Sequence, residues 1–240
     1  MSQAIYAIGD IHGQHDMLLD ALTRIEADGG TAARVVFLGD LVDRGPGSRA
    51  VIDTLLSGLE QGRDWTVLLG NHDRLFSNYL ETGAEENPLI KSGVGWFHDR
   101  LGGKATLASY GVDPDLGTQA RLKAARTAVP DSHRTFLSAR PLYERLGHYL
   151  FVHAGVRPGL PLHAQGEEDL IWIREPFLSH EQPFDWLVVH GHTAQELPRH
   201  YGNRINIDSG AGYGRPLTAI ALEGTAAFVL TDDGRVPLMP

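Results

Sequence analysis

A chain of 240 residues, 42% of them hydrophobic, is long enough for a large core and shows no bias toward disorder. Its 30 acidic and 21 basic residues give a formal net charge of −9, which argues against a dedicated nucleic-acid binder, because a polyanion needs a basic surface. There is no cysteine, so disulfides and thiolate ligands are excluded and any metal must be held by oxygen and nitrogen.

The chain goes almost directly into a strand-like run, Ile5–Ile8. No signal-like start precedes it and no apolar run is long enough to span a bilayer, so the expected location is cytoplasmic. A turn leads to an amphipathic stretch with Met17, Leu18, Leu19, Leu22 and Ile25 at helical spacing, closed by Gly29-Gly30. A second buried strand is expected at Arg34–Leu38. A helix with Val51, Ile52, Leu55 and Leu56 on one face follows, then a third strand at Trp65–Leu69. This β-α-β-α-β run predicts a parallel sheet, in which ligands gather beyond the carboxyl ends of the strands.

Between about residues 74 and 140 the texture changes to helical stretches (Leu75–Leu80, Thr118–Thr127, Asp131–Leu137) broken by Pro88, Gly102-Gly103, Pro114 and Pro130. It reads as a helical insertion or cap on the sheet. Strands return at Tyr149–Val152, Trp186–Val189, Arg204–Ile207, Leu217–Leu222 and Ala226–Leu230. Glu223-Gly224 and Asp233-Gly234 turn the last pieces into an antiparallel meander.

Five polar motifs punctuate these elements: Gly9-Asp10-Ile11-His12-Gly13, Gly39-Asp40-Leu41-Val42-Asp43-Arg44-Gly45, Gly70-Asn71-His72-Asp73, His153-Ala154-Gly155 and Gly191-His192-Thr193. The first three each follow an apolar run, so each is a strand end delivering polar groups into a turn. Any one of them is an ordinary turn or helix cap by itself. Together they supply the carboxylates, amide and imidazoles of a two-metal site. Two ions a few ångströms apart clamp phosphoryl oxygens and activate a water, and holding them that close requires a shared carboxylate. Asp40 is the natural bridge. Asp10 and His12 can reach one ion, and Asn71, His153 and His192 the other. His72 is placed to protonate a leaving oxygen, with Asp43 orienting its imidazole. Arg44 and Arg174 are expected to grip phosphate oxygens, although Arg174 could equally pair with a carboxylate.

At these residues the sequence resembles the PPP family of metal-dependent phosphoprotein phosphatases, and within it the compact bacterial and bacteriophage-lambda-type serine/threonine phosphatases. The resemblance runs from Ile5 to about Thr218. It includes the weaker signals Leu101–Leu107, Ile171-Trp172-Ile173-Arg174-Glu175 and Ile207-Asp208-Ser209-Gly210. It implies an α/β calcineurin-like metallophosphoesterase fold, a central β-sandwich of two mixed sheets flanked by helices, as one domain over residues 1–240 carrying the helical cap. It implies metal ligands at Asp10, His12, Asp40, Asn71, His153 and His192, a general acid at His72 oriented by Asp43, and phosphate-binding arginines at Arg44 and Arg174. The expected reaction is hydrolysis of phosphomonoesters, foremost phosphoserine and phosphothreonine in proteins, by a hydroxide held between two divalent ions. Mn²⁺ is expected, with Fe or Zn as alternatives.

One departure points elsewhere. The family usually has Glu where this chain has Asp73, and the Asp form is typical of the related diadenosine tetraphosphate hydrolases, which also share Arg44-Gly45-Pro46-Gly47-Ser48. Those generally have Ala at the position of Asp43 and are not expected to carry the Trp172-Ile173-Arg174-Glu175 run, so Asp43 and Arg174 tilt the expectation back toward a phosphomonoesterase. A dinucleoside polyphosphate hydrolase is the alternative, and a non-catalytic metal- or phosphate-binding adaptor the third reading. Tyr213, Trp96, Phe97 and Trp172 are expected to be packing or turn aromatics, and His190 a buried structural residue behind His192. The remaining seven histidines are expected at the surface or in local hydrogen bonds.

Overall fold

The computed structural model describes residues 4–90 and 93–240, so residues 91–92 of the expected cap lie outside the described residues. The first third forms β1 (Ile5–Ile8), α1 (His15–Gly29), β2 (Arg34–Phe37), α2 (Ser48–Glu60) and β3 (Trp65–Val67). Four helices follow: α3 (Asn71–Thr82), α4 (Gly103–Ser109), α5 (Thr118–Ala128) and α6 (Asp131–Ser138). Then come β4 (Tyr143–Leu146), β5 (Tyr149–Val152), α7 (Glu167–Trp172), β6 (Leu187–His190), β7 (Arg199–His200) and β8 (Arg204–Asn206). A closing meander is built from β9 (Ala219–Glu223), β10 (Ala226–Thr231) and β11 (Gly234–Pro237).

The strands make two mixed sheets, ordered β11-β10-β9-β1-β2-β3 and β4-β5-β6-β8-β7. In the first, β1, β2 and β3 are parallel neighbours and β9 joins β1 antiparallel; in the second, β5, β6 and β8 are mutually parallel. Side-chain alternation assigns the layers. Ala7, Val36, Phe151, Val189, Ile205 and Ile220 fill the space between the sheets. Tyr6, Ile8, Val35 and Phe37 face the helices on one side, and Leu150, Val152 and Val188 face α7 and its flanking loops on the other. This is the expected sandwich of two mixed sheets flanked by helices. Its consequence for the site is that six strand ends, those of β1, β2, β3, β5, β6 and β8, deliver their loops to one edge.

Several boundaries differ from the sequence expectation. The helix predicted at Leu75–Leu80 begins four residues earlier, because Gly70 is extended at its N-cap and the Asp73 carboxylate accepts the Gly70 N–H. Gly102-Gly103, read as a break, instead starts α4: Gly102 takes the left-handed conformation (φ 89°) and Gly103 packs on the Trp96 indole. The strand expected at Trp65–Leu69 ends at Val67, since the Leu69 N–H turns away to bond the Pro141 carbonyl.

Candidate metal centre

The loops at the sandwich edge carry unusual backbone. His12, Asp40, Asp43, Arg44 and His192 have φ of 48°, 51°, 73°, 67° and 65°, and they are all the non-glycine residues with positive φ among the described residues. Each costs about 1–3 kcal/mol, so the surrounding hydrogen bonds must over-determine it. Those bonds are present. The Ile11 and His12 N–H groups donate to the Asp40 carbonyl at 3.1 and 2.7 Å, tying the first two motifs together. Asp73 accepts the N–H groups of Leu41 and Gly70 at 2.9 and 3.0 Å, tying the second motif to the third. Burial holds the Asp73 carboxyl well above the usual range, with Asp40 adding to it. Gly70 must be glycine, because a Cβ there would lie 2.1 Å from the Asp40 nitrogen. At Gly191 it would lie 2.0 Å from the Asp10 carboxylate.

Within this frame Asp40 is shared by two donor groups, His12/Asp40/His72 and Asp40/His153/His192, each with donor atoms within 4.8 Å of one another. His12 and His153 donate Nδ1–H to the carbonyls of Val42 and Leu38, both at 2.9 Å, which leaves each Nε2 facing Asp40 at 3.5 and 3.4 Å. The Asn71 Oδ1 lies 2.9 Å from His153 Nε2 and 2.8 Å from His192 Nδ1. Asp10 stands outside both groups. Its carboxylate accepts the His192 N–H at 3.0 Å, and burial, with Asp208 and Asp40 nearby, pushes it well up. Burial also lowers the imidazoles of His12, His153 and His192, for His12 with help from Arg44 and for His192 with help from His153 and Arg174. Neutral imidazoles around a carboxylate, with one ring nitrogen of His12 and of His153 already fixed by a backbone carbonyl, are the donor chemistry that divalent ions take.

His72 carries a second network. Its Nδ1–H donates to the Asp43 Oδ2 at 2.7 Å, and both residues are buried. The Asp43 carboxylate also accepts Trp96 Nε1–H at 2.8 Å and the Thr106 hydroxyl at 2.6 Å, and Thr106 in turn accepts the Asp43 N–H at 2.8 Å. The helical segment after α3 therefore does more than cover the sheet: two of its residues fix the carboxylate behind His72. Trp96 is in the core as expected, but its indole N–H is aimed at the site. Sequence reading had no signal for Thr106 beyond the weak Leu101–Leu107 resemblance.

The arginines lie on the outer rim. The Arg44 guanidinium contacts His12 Nε2 and stands 3.3 Å from His72 Nε2. Tyr213, expected to be a turn aromatic, is 61% exposed and stacks on Arg44, with 4.6 Å from the guanidinium carbon to the ring centroid. Arg174 is exposed just beyond α7, close enough for its charge to lower His153 and His192. Asp208, buried beside Asp10, accepts the Gly210 N–H at 2.9 Å, and burial pushes its carboxyl up to about 6. His190 is buried behind His192, its Nδ1 on the Gly191 carbonyl. Of the remaining histidines, His133 is buried between Tyr110 and Asp53, far from these loops in its bonding.

Comparison with known proteins bears on the family and the fold. A bis(5'-nucleosyl)-tetraphosphatase PrpE [asymmetrical] of Anoxybacillus flavithermus is 28% identical over 243 residues, covering 89% of this chain and 88% of that protein. Among solved structures, one described as a candidate diadenosine tetraphosphatase superposes with a TM-score of 0.68 at 22% identity, covering 100% of this chain and 95% of its own. A cold-active protein tyrosine phosphatase superposes with a TM-score of 0.66 at 19% identity, covering 100% and 79%. At those identities the two structures speak to the fold alone. The family model described as calcineurin-like phosphoesterase matches residues 4–216, and with the two mixed sheets and the shared-carboxylate centre in hand, the chain belongs to the calcineurin-like phosphoesterase family.

Proposed function

We propose that this metallophosphoesterase hydrolyses dinucleoside polyphosphates, the second of the sequence-based expectations, ahead of phosphoproteins. The observation that carries the reading is the similarity to bis(5'-nucleosyl)-tetraphosphatases over nearly the whole chain. Asp73 and the Arg44–Ser48 run point the same way. Of the two residues that tilt the sequence reading toward phosphomonoesters, Asp43 bonds His72 and Arg174 stands exposed at the rim, and both are compatible with either substrate.

The roles proposed for the residues follow from their contacts. His12, Asp40, Asn71, His153 and His192, with Asp10 brought in through the His192 amide, would hold two divalent ions, for which Mn²⁺ suits the oxygen and nitrogen donors. When bound, such ions clamp phosphoryl oxygens and lower the pKa of an attacking water. Arg44 would bind phosphate oxygens with its planar fork, drawn off His12 toward the Tyr213 ring. Arg174 would neutralise charge from the opposite rim. His72, its Nδ1 engaged by Asp43, presents Nε2 to the centre and would deliver a proton to the leaving oxygen.

One observation favours the phosphoprotein reading. A serine alkoxide is a poor leaving group and needs that proton, whereas a leaving phosphate chain, with its pKa near 6, hardly does. The fully supported His72–Asp43 pair therefore suits a phosphomonoester. The deciding experiment compares kcat/KM of the Mn²⁺-loaded enzyme for diadenosine tetraphosphate and for a phosphoserine/phosphothreonine peptide. A preference of tenfold or more for the dinucleotide, with ATP and AMP as products, is expected. An equal preference for the peptide would overturn the proposal.

A further inference from the structure

Beside the centre, between α3 and α7, lies a cavity of about 340 Å³ that none of the roles above uses. Its walls include Arg74, Asn78, Asn87, Glu167, Glu168 and Trp172. It adjoins the centre directly, because the Trp172 indole meets the His192 imidazole edge-on with centroids 6.2 Å apart. Its volume is at the lower end of ligand sites, right for one small organic group.

The lining restricts what that group can be. Among the described residues Arg74 is paired with Glu167 at 2.7 Å and Glu168 has no ion-pair partner, so the described lining carries a net negative charge. That charge disfavours a phosphate chain there and leaves the phosphates to the centre and the two rim arginines. What fits is a neutral, flat group with hydrogen-bonding edges. Trp172 supplies an aromatic wall. Asn78 offers a side-chain amide that engages no other described residue, and Asn87 holds its Oδ1 on the Leu89 N–H at 2.9 Å while its NH₂ stays available. Asparagine amides pair with the edge of adenine, and carboxylates accept ribose hydroxyls. The centre thus has an aromatic residue on each side, Trp172 next to His192 and Tyr213 over Arg44 next to His12.

We infer that the Trp172 cavity is a nucleoside site that takes the base and ribose of one end of the substrate, leaving its phosphates over the centre. This rests on the dinucleotide reading and specifies where one nucleoside of it sits. Base–aromatic stacking is worth about 1–3 kcal/mol, roughly five- to 150-fold in affinity.

The test uses the Mn²⁺-loaded enzyme turning over p-nitrophenyl phosphate, with AMP and inorganic phosphate as competitive inhibitors. AMP is expected to inhibit at a Ki at least tenfold below that of phosphate. Asn78→Ala/Asn87→Ala and Trp172→Ala should each shrink that advantage about tenfold, whereas Trp172→Phe, which keeps a stacking face, should retain most of it. Metal content of every variant, measured by mass spectrometry, separates loss of the site from loss of the ions. The inference is overturned if AMP gains nothing over phosphate, or if the alanine variants keep the advantage with metals in place. It is equally overturned if the variants selectively weaken a lysine-flanked phosphoserine peptide, which would make the acidic cavity a peptide site. Failure of the dinucleotide reading is seen separately, in an unmutated enzyme that binds AMP well yet does not cleave diadenosine tetraphosphate.

Discussion

The two halves of the centre share Asp40 but are built for different tasks. The His153/His192 half is neutral: one ring nitrogen of His153 is tied to a backbone carbonyl, both imidazoles meet the Asn71 oxygen, and burial lowers both. The His12/His72 half has the Arg44 guanidinium against both rings and, behind His72, a carboxylate that accepts Trp96 and Thr106. Rigid, neutral donors hold ions. An imidazole held by a carboxylate under an arginine is the arrangement proposed above to deliver a proton and bind phosphate. The asymmetry teaches that removing one histidine from each half should fail in different ways.

The largest effect is expected where the halves meet. Asp40→Asn should lose both ions and lower kcat/KM by at least a thousandfold; a variant retaining two ions by mass spectrometry would break the assignment of a shared carboxylate. Next is His72→Asn, expected to keep both ions while cutting turnover of a phosphoserine peptide about 100- to 10,000-fold. Its effect on diadenosine tetraphosphate should be far smaller, about tenfold, because a phosphate leaves without help. Loss of metal in this variant would move His72 to the ion-holding side. The cap-borne support is a step weaker: Thr106→Val removes both hydroxyl bonds to Asp43 and should lower kcat about tenfold and shift the basic limb of the pH–rate profile, with KM little changed. An unmoved pH profile would reduce Thr106 to packing.

The smallest effect concerns pH and stability. Burial raises Asp208 to about 6 in the folded protein, above its ordinary value of 3.8. The folded state therefore binds the extra proton, and its stabilising contribution is present below about pH 4 and lost as pH rises through about 6. The metal-free protein should lose on the order of 1–3 kcal/mol across that window. Asp208→Asn should flatten the slope in thermal melts run with a chelator, and an unchanged slope would assign it to another group.

Much of the centre was legible because each ligand-type residue follows a strand that announces itself as an apolar run. Asp10, Asp40 and His153 needed only that local pattern and their order. What stayed hidden is whatever works across the fold. Thr106 and Trp96 reach Asp43 from 63 and 53 residues away, and no local periodicity encodes such a bond. Tyr213 looked like turn filler because its partner, Arg44, lies in another motif. The helix start at Asn71 was missed for a related reason: its cap is a backbone glycine and the stabilising carboxylate, Asp73, appeared only as a motif letter. The function shifted most. Motif spelling favoured a phosphomonoesterase, whereas the relatives matched over nearly the whole chain are bis(5'-nucleosyl)-tetraphosphatases, and the metal-site motifs are common to both reactions.

The five left-handed residues carry a consequence for anyone who would engineer this chain. Each is a position where glycine relieves backbone strain, and each is a side chain proposed to serve the chemistry. Selection for heat resistance alone should reward Arg44→Gly, which gives up only rim contacts along with the proposed phosphate grip, whereas Asp43→Gly would strand the buried donors of His72, Trp96 and Thr106. A thermostability library of this protein has to be screened for turnover in the same round, or its winners will be well-folded and inert.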